Sequence, residues 1–149
     1  MLAAIDGRCG SGKTTLGEYL KQIFDCNLFR MDDFFLRMEQ RTPERLREVG
    51  GNVDYERFEE TVLRPLLQKE QVCYQPFSCQ KWGLLKAYPI PYKRLNIIEG
   101  SYSMHPYFKN PYHVRIFHQD DDVFAHKYGI IALEAGKEAT YHLEISLIE

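Results

Sequence analysis

The chain has 149 residues, 44% of them apolar and 27% charged, which suits one compact domain with its own core and leaves too little length for two. With 19 basic and 21 acidic residues the formal charge is −2, so there is no electrostatic footprint for a nucleic-acid backbone, and a small-molecule partner is expected instead. No apolar run approaches the ~20 residues of a membrane-spanning helix, and Met1 to Asp6 lacks the basic and apolar stretches of a leader, so a soluble, cytoplasmic protein with no membrane partner is expected.

Leu2 to Asp6 is a short apolar run that ends in glycines and reads as a buried strand. The helix expected after it carries Leu16, Leu20 and Ile23/Phe24 at the spacing of one buried face. Leu28 to Met31 reads as a second strand, stopped by Asp32 and Asp33. Arg37 to Gly51 is polar, with a short helical piece beginning at Pro43, where proline suits a first turn. Its arginines, Arg37, Arg41, Arg45 and Arg47, read as a solvated face paired with Glu39, Glu44 and Glu48 rather than as an anion site.

Asp54 can cap a helix in which Tyr55, Phe58, Val62 and Leu66 share a face, with Pro65 expected to kink or shorten it. Gln71 to Tyr92 mixes aromatic and β-branched residues with Pro76, Gly83, Pro89 and Pro91, the pattern of an irregular edge hairpin. Leu95 to Ile98 and Tyr112 to Phe117 are two further core strands. Strands alternating with helices predict an α/β fold: three layers, a mostly parallel sheet and an edge hairpin. In the tail, Phe124 to Lys137 has helix-like stretches while Tyr141, Leu143, Ile145 and Leu147 alternate as a strand does, so its structure is left open. Cys9, Cys26, Cys73 and Cys79 lack CxxC spacing and are expected as reduced thiols.

The chemistry concentrates in Gly7, Arg8, Cys9, Gly10, Ser11, Gly12, Lys13 and Thr14, with Thr15 following, between the first strand and the first helix. Glycines at these places let successive N–H groups curl around phosphates, and the helix adds its positive end. Lys13 is expected at the β- and γ-phosphates and the Thr14 hydroxyl on Mg²⁺, which makes ATP and Mg²⁺ the expected cofactors. In an open parallel sheet ligands gather at the carboxyl ends of strands, where Asp32, Asp33 and Glu99 stand. Phosphoryl transfer needs an oriented hydroxyl, an acceptor for its proton and a fixed metal. Asp32 is the candidate base and a candidate metal contact, and Glu99 a candidate for the metal's shell.

The loop with Thr14-Thr15-Leu16, the segment Met31-Asp32-Asp33-Phe34-Phe35, Asn52-Val53-Asp54-Tyr55-Glu56-Arg57-Phe58 and Ile97-Ile98-Glu99-Gly100-Ser101-Tyr102 occur in one order. In this the chain resembles the uridine kinase-like P-loop kinases, a group that includes phosphoribulokinase and pantothenate kinase. The resemblance covers residues 1–117 of a single domain, 1–149. It implies a parallel five-stranded sheet, ATP·Mg²⁺ as donor and transfer of the γ-phosphate to a hydroxyl of a nucleoside such as uridine or cytidine, or of another small metabolite. By position it makes Asp32 the catalytic aspartate, with Lys13 and Glu99 beside it, and Asp54 a contact to the acceptor's sugar hydroxyls. Asp33 joins it on the acceptor side, Tyr74 and Phe77 stand as walls of the acceptor pocket or as packing, and His105 as a pocket or loop residue. Residues 118–149 depart from the pattern: the last arginine is Arg115, where the family continues into an arginine-bearing lid and a last core strand. The alternative reading is therefore a nucleotide-binding module with little turnover. Acceptor identity and homo-oligomer formation stay open.

Overall fold

In the computed structural model, residues 1–119, 131–134 and 140–147 are described, with side chains through residue 117. The central sheet has six strands, in the spatial order Cys26–Arg30, Leu95–Glu99, Leu2–Gly7, Val114–Gln119, Thr140–Leu147 and Ile131–Glu134. Its strands are β1 (Leu2–Gly7), β2 (Cys26–Arg30), β7 (Leu95–Glu99), β8 (Val114–Gln119), β9 (Ile131–Glu134) and β10 (Thr140–Leu147). The first four in spatial order pair in parallel. Beyond β8 the direction reverses, because β10 runs antiparallel to β8 and to β9. The five-stranded parallel sheet implied by the resemblance is thus corrected to four parallel strands and an antiparallel pair. The short step from β9 to β10 suits the antiparallel pairing of those two strands. The alternation from Tyr141 to Leu147 is matched by β10. Most of the helix-like stretch before it lies outside the described residues.

β1 is buried on both faces, as its unbroken apolar run requires of a central parallel strand. Leu2 and Ala4 face one core with Phe29, Phe34, Phe58 and Ile98, while Ala3 and Ile5 face a second with Leu16, Ile97 and Ile116. Helix α1 (Lys13–Ile23) covers the second core. It lies so close to the sheet that a methyl on Gly17 would come within 3.1 Å of Leu28 Cδ1.

The first core is covered by α3 (Tyr55–Phe58), a π-helical turn (Glu59–Leu63) and α4 (Arg64–Leu67), which run on from one another. Tyr55, Phe58, Val62 and Leu66 share the buried face predicted for them. Pro65 does not end the helix; the wider π turn stands directly ahead of it, where a proline ring would crowd the preceding turn of a regular helix. A shorter helix, α2 (Pro43–Arg47), is capped by the Thr42 hydroxyl accepting from Arg45 N–H. The expected edge hairpin is two ribbons in succession. β3 (Val72–Tyr74) pairs with β6 (Tyr88–Ile90), and β4 (Phe77–Ser78) with β5 (Gly83–Leu84).

Register places the site. Arg30 pairs with Glu99, Glu99 with Ile5 and Ile5 with Ile116, so four parallel strands end on one rim. The phosphate loop, the Met31–Asp33 turn and the loop after Glu99 all rise from it. Among the described residues no helix is long and apolar enough to cross a membrane, and the four cysteines are free thiols.

Candidate functional site

The phosphate loop is held by its own backbone. Ser11 N–H donates to Arg8 O at 3.2 Å, and Gly12, at φ 90°, turns the chain into α1 in a left-handed conformation that glycine adopts without strain. Lys13 is 7% exposed, and its Nζ donates to Arg8 O at 2.5 Å, so the ammonium is folded over the loop.

Cys9, Gly10, Gly12, Lys13 and Thr14 share a cleft of about 300 Å³ with Asp32, Glu99, Gly100 and Ser101. Thr14 Oγ1 donates to Glu99 Oε1 at 3.2 Å. Glu99 is 3% exposed, and Arg30 Nε approaches the same oxygen at 3.7 Å while its Nη2 pairs closely with Glu18. Burial pushes the Glu99 carboxyl above its ordinary range; the Thr14 hydrogen bond opposes this and the charge of Asp32 adds to it. A buried carboxylate beside a second carboxylate and a hydroxyl is a costly arrangement that a hard dication relieves. The described residues contain no cluster of three His, Cys, Asp or Glu side chains able to hold a metal. Mg²⁺ does not require one, since it takes one or two carboxylates together with phosphate oxygens and waters. The donor set Thr14, Asp32 and Glu99 therefore fits Mg²⁺.

A second, larger cleft of about 610 Å³ adjoins the first through Asp32, Cys9 and Ser101, which line both. Its other walls are Asp6, Gly7, Arg8, Phe35, Asn52, Val53, Tyr102 and Phe117. Asp6 ties it to the phosphate loop: Oδ1 accepts from Gly7 and Tyr102 N–H at 2.6 and 3.1 Å, and Oδ2 from Met104 N–H at 2.9 Å. Ser101 Oγ adds a bond to Gly7 O at 3.1 Å. Of these lining residues, Asp6 is no candidate from the sequence, while Phe35, Asn52, Val53, Ser101 and Tyr102 stand within the motif segments without an assigned role. For Ser101 and Tyr102 the available signal was position, because they directly follow the carboxyl end of β7.

The two adjacent aspartates diverge. Asp32 is exposed in both clefts, while Asp33 lines a separate cleft of about 380 Å³ along β2 with Arg30, Tyr74 and Tyr88. There the Tyr74 hydroxyl donates to Asp33 Oδ2 at 2.6 Å. Burial and this carboxylate push the Tyr74 phenol well above its ordinary value. Asp54 is 1% exposed and lines neither of the first two clefts; its Oδ1 caps α3 by accepting from Arg57 N–H, and Oδ2 lies 3.5 Å from Arg57 Nε. Phe77 is buried against Trp82 within the β4–β5 ribbon. Thr15 is exposed beyond the loop and lines neither cleft.

His105 is a brace instead of a wall of the cleft. Its Nε2 bonds Val49 O at 2.9 Å, its Nδ1 accepts from Tyr107 N–H, and its ring stacks on Tyr55 at 4.6 Å. Arg45 lies over Tyr55 at 3.8 Å and bonds Gly51 O, Val53 O and both Glu56 oxygens. Together these side chains lock the segment bearing Asn52 and Val53 to the loop bearing Tyr102.

No family model matches the chain. Among solved structures, that of a possible uridine kinase from Bacillus stearothermophilus superimposes with a TM-score of 0.70 at 18% identity, covering 83% of this chain and 73% of that one. Among curated proteins, the bifunctional shikimate kinase/3-dehydroquinate synthase of Thermotoga maritima is 30% identical over 66 residues, which is 44% of this chain. That match spans only 13% of the relative's length.

Proposed function

We propose that this chain, whose fold is that of a uridine kinase-like P-loop kinase, is an ATP-dependent phosphotransferase acting on a hydroxyl of a small acceptor, a uridine- or cytidine-like nucleoside or another small metabolite. The observation that carries the reading is the convergence of Lys13, Thr14, Asp32 and Glu99 on one cleft, with Asp32 also opening into the larger cleft beside it. When bound, ATP supplies the phosphoryl group and Mg²⁺ neutralises its charge. Lys13 and the loop N–H groups hold the phosphates, and Thr14, Asp32 and Glu99 hold the metal. Asp32 orients the acceptor hydroxyl and takes its proton, since a carboxylate shared by both clefts faces donor and acceptor alike.

The test is ADP release from Mg·ATP across a panel of nucleosides and small hydroxylated metabolites. Acceptor-stimulated release that Asp32→Asn abolishes, with ATP still bound, is the expected result. A second reading, a nucleotide-binding module with little turnover, is favoured by the lack of any arginine after Arg115. Cationic groups at the transferred phosphoryl are worth about 10³- to 10⁵-fold in related reactions. Tight ATP binding with no stimulation by any acceptor would select that module.

A further inference from the structure

Asp32 sits in a three-residue 3₁₀ turn, Met31–Asp33, whose caps make no side-chain hydrogen bond. So short a turn is poorly self-supporting, and its orientation depends on what holds it from outside. Two side chains do. One is the Tyr74 hydroxyl on the Asp33 carboxylate. The other is Arg57, whose side chain is only 12% exposed although it lines neither of the clefts that Asp32 faces.

The Arg57 guanidinium reaches three elements at once. Nη1 donates to Gln75 O, between β3 and β4, at 2.7 Å; Nη2 donates to Asp33 O at 3.4 Å. Nε lies 3.5 Å from Asp54 Oδ2, and the guanidinium plane covers the Phe34 ring at 4.1 Å. Burial pulls the Arg57 pKa down, Asp54 opposes this, and Arg37 adds to it. A charge kept at that cost holds backbone carbonyls of two separate segments in a fixed fork, which a lysine ammonium cannot reproduce.

We infer that Arg57 is the positioning residue for Asp32: it clamps the aspartate-bearing turn to the edge hairpin, so that the Asp32 carboxylate is presented to both clefts. The inference rests on the reading of Asp32 as the acceptor-facing base. It implies that movement of the hairpin is felt at Asp32 without any direct contact between them.

The experiment pairs amide hydrogen exchange on the full chain with a double-mutant cycle on ADP release from Mg·ATP. Arg57→Lys is expected to speed exchange in residues 31–36 and 72–78 and to leave the helical backbone of 55–67 protected. It should slow turnover about 10- to 100-fold with ATP affinity unchanged, the scale on which small misplacements of a reacting group act. In an Asp32→Asn background the same substitution should cost less than about twofold, because the group it positions is already gone. Tyr74→Phe removes the other tie and should act in the same direction with a smaller loss. Unchanged exchange in residues 31–36 would overturn the inference, as would an equal loss of turnover with and without Asp32. If Asp32→Asn alone left turnover intact, the reading of the base would fail first, and the exchange result would still report on the clamp.

Discussion

The two halves of the site are built by different means. On the proposed donor side, the groups facing the 300 Å³ cleft come largely from the contiguous segment Cys9 to Thr14, completed by Asp32 and by Glu99 with its following loop. On the proposed acceptor side, the 610 Å³ cleft is assembled from β1, Arg8 and Cys9 of the loop after it, the loop after β2, the segment before α3, the loop after β7 and Phe117 of β8. A phosphate cradle is mostly backbone N–H groups in a glycine-dictated conformation, so a few consecutive residues suffice for it. An acceptor cleft is shaped by side chains whose separation is set by how the loops brace one another. The donor half should therefore tolerate distant changes that the acceptor half does not.

The largest expected effect falls on Asp32, the carboxylate common to both clefts. Asp32→Asn should lower transfer by about 10² to 10⁴, the usual worth of a positioned general base, with ATP binding measured by calorimetry almost unchanged. A variant that lost ATP binding and transfer together would show that Asp32 serves the donor side alone.

Next come changes to the bracing of the acceptor half. Gly50 has φ 70°, and a Cβ there would stand 2.9 Å from His105 Cδ2 and 3.0 Å from Tyr102 Cδ1. Gly50→Ala should cost about 1–3 kcal/mol of stability in denaturant titrations. It should also raise the acceptor KM, because the strain moves Asn52 and Val53 against Tyr102. ATP affinity should not follow, and an equal loss in both halves would erase the contrast between them.

Glu99→Gln sharpens the donor side. The carboxylate is nearly inaccessible and burial raises its pKa, so below the raised value the folded chain keeps a proton that the unfolded chain releases above its ordinary 4.5. Stability is lost as pH rises through that window. The amide removes this penalty while still accepting from Thr14. The nucleotide-free variant should melt higher than the parent at neutral pH, and the difference should close below the ordinary carboxylate range. Its affinity for Mg·ATP should fall.

The smallest effect belongs to the rim of the acceptor brace. The Arg45 hydrogen bonds hold Glu56 below its ordinary value, with burial opposing. The stabilisation is present above the unfolded value near 4.5 and disappears as pH falls through the depressed folded one. Because the Glu56 side chain is 46% exposed, solvent screens the pair, and Glu56→Gln should cost under about 1 kcal/mol at neutral pH and nothing in strong acid. Thermal melts at the two pH values measure the difference.

Local sequence pattern is most informative where chemistry and chain order coincide. The loop, both core strands that end in acids, the cap at Asp54 and the buried face from Tyr55 to Leu66 all follow from local pattern. The resemblance placed Asp54 with the acceptor and left Tyr74 and Phe77 as walls of the acceptor pocket or as packing. In the fold, Asp54 is a buried cap paired with Arg57, Tyr74 bonds Asp33 in a different cleft, and Phe77 packs against Trp82. Neither parity nor spacing distinguishes such uses, because one residue type serves either once its neighbours are set.

What the amino-acid order decided by itself is the glycine-rich loop proposed as the donor site and the alternation of strand and helix, since glycine conformations, caps and hydrophobic period act over a few residues. What only the tertiary structure decided is which carboxylate faces which cleft, the reversal of the sheet beyond β8, and the bracing by Asp6, Arg45, Arg57 and His105. Those depend on parallel strands ending in register on one rim and on side chains from distant segments meeting there, and no local window of sequence contains that information.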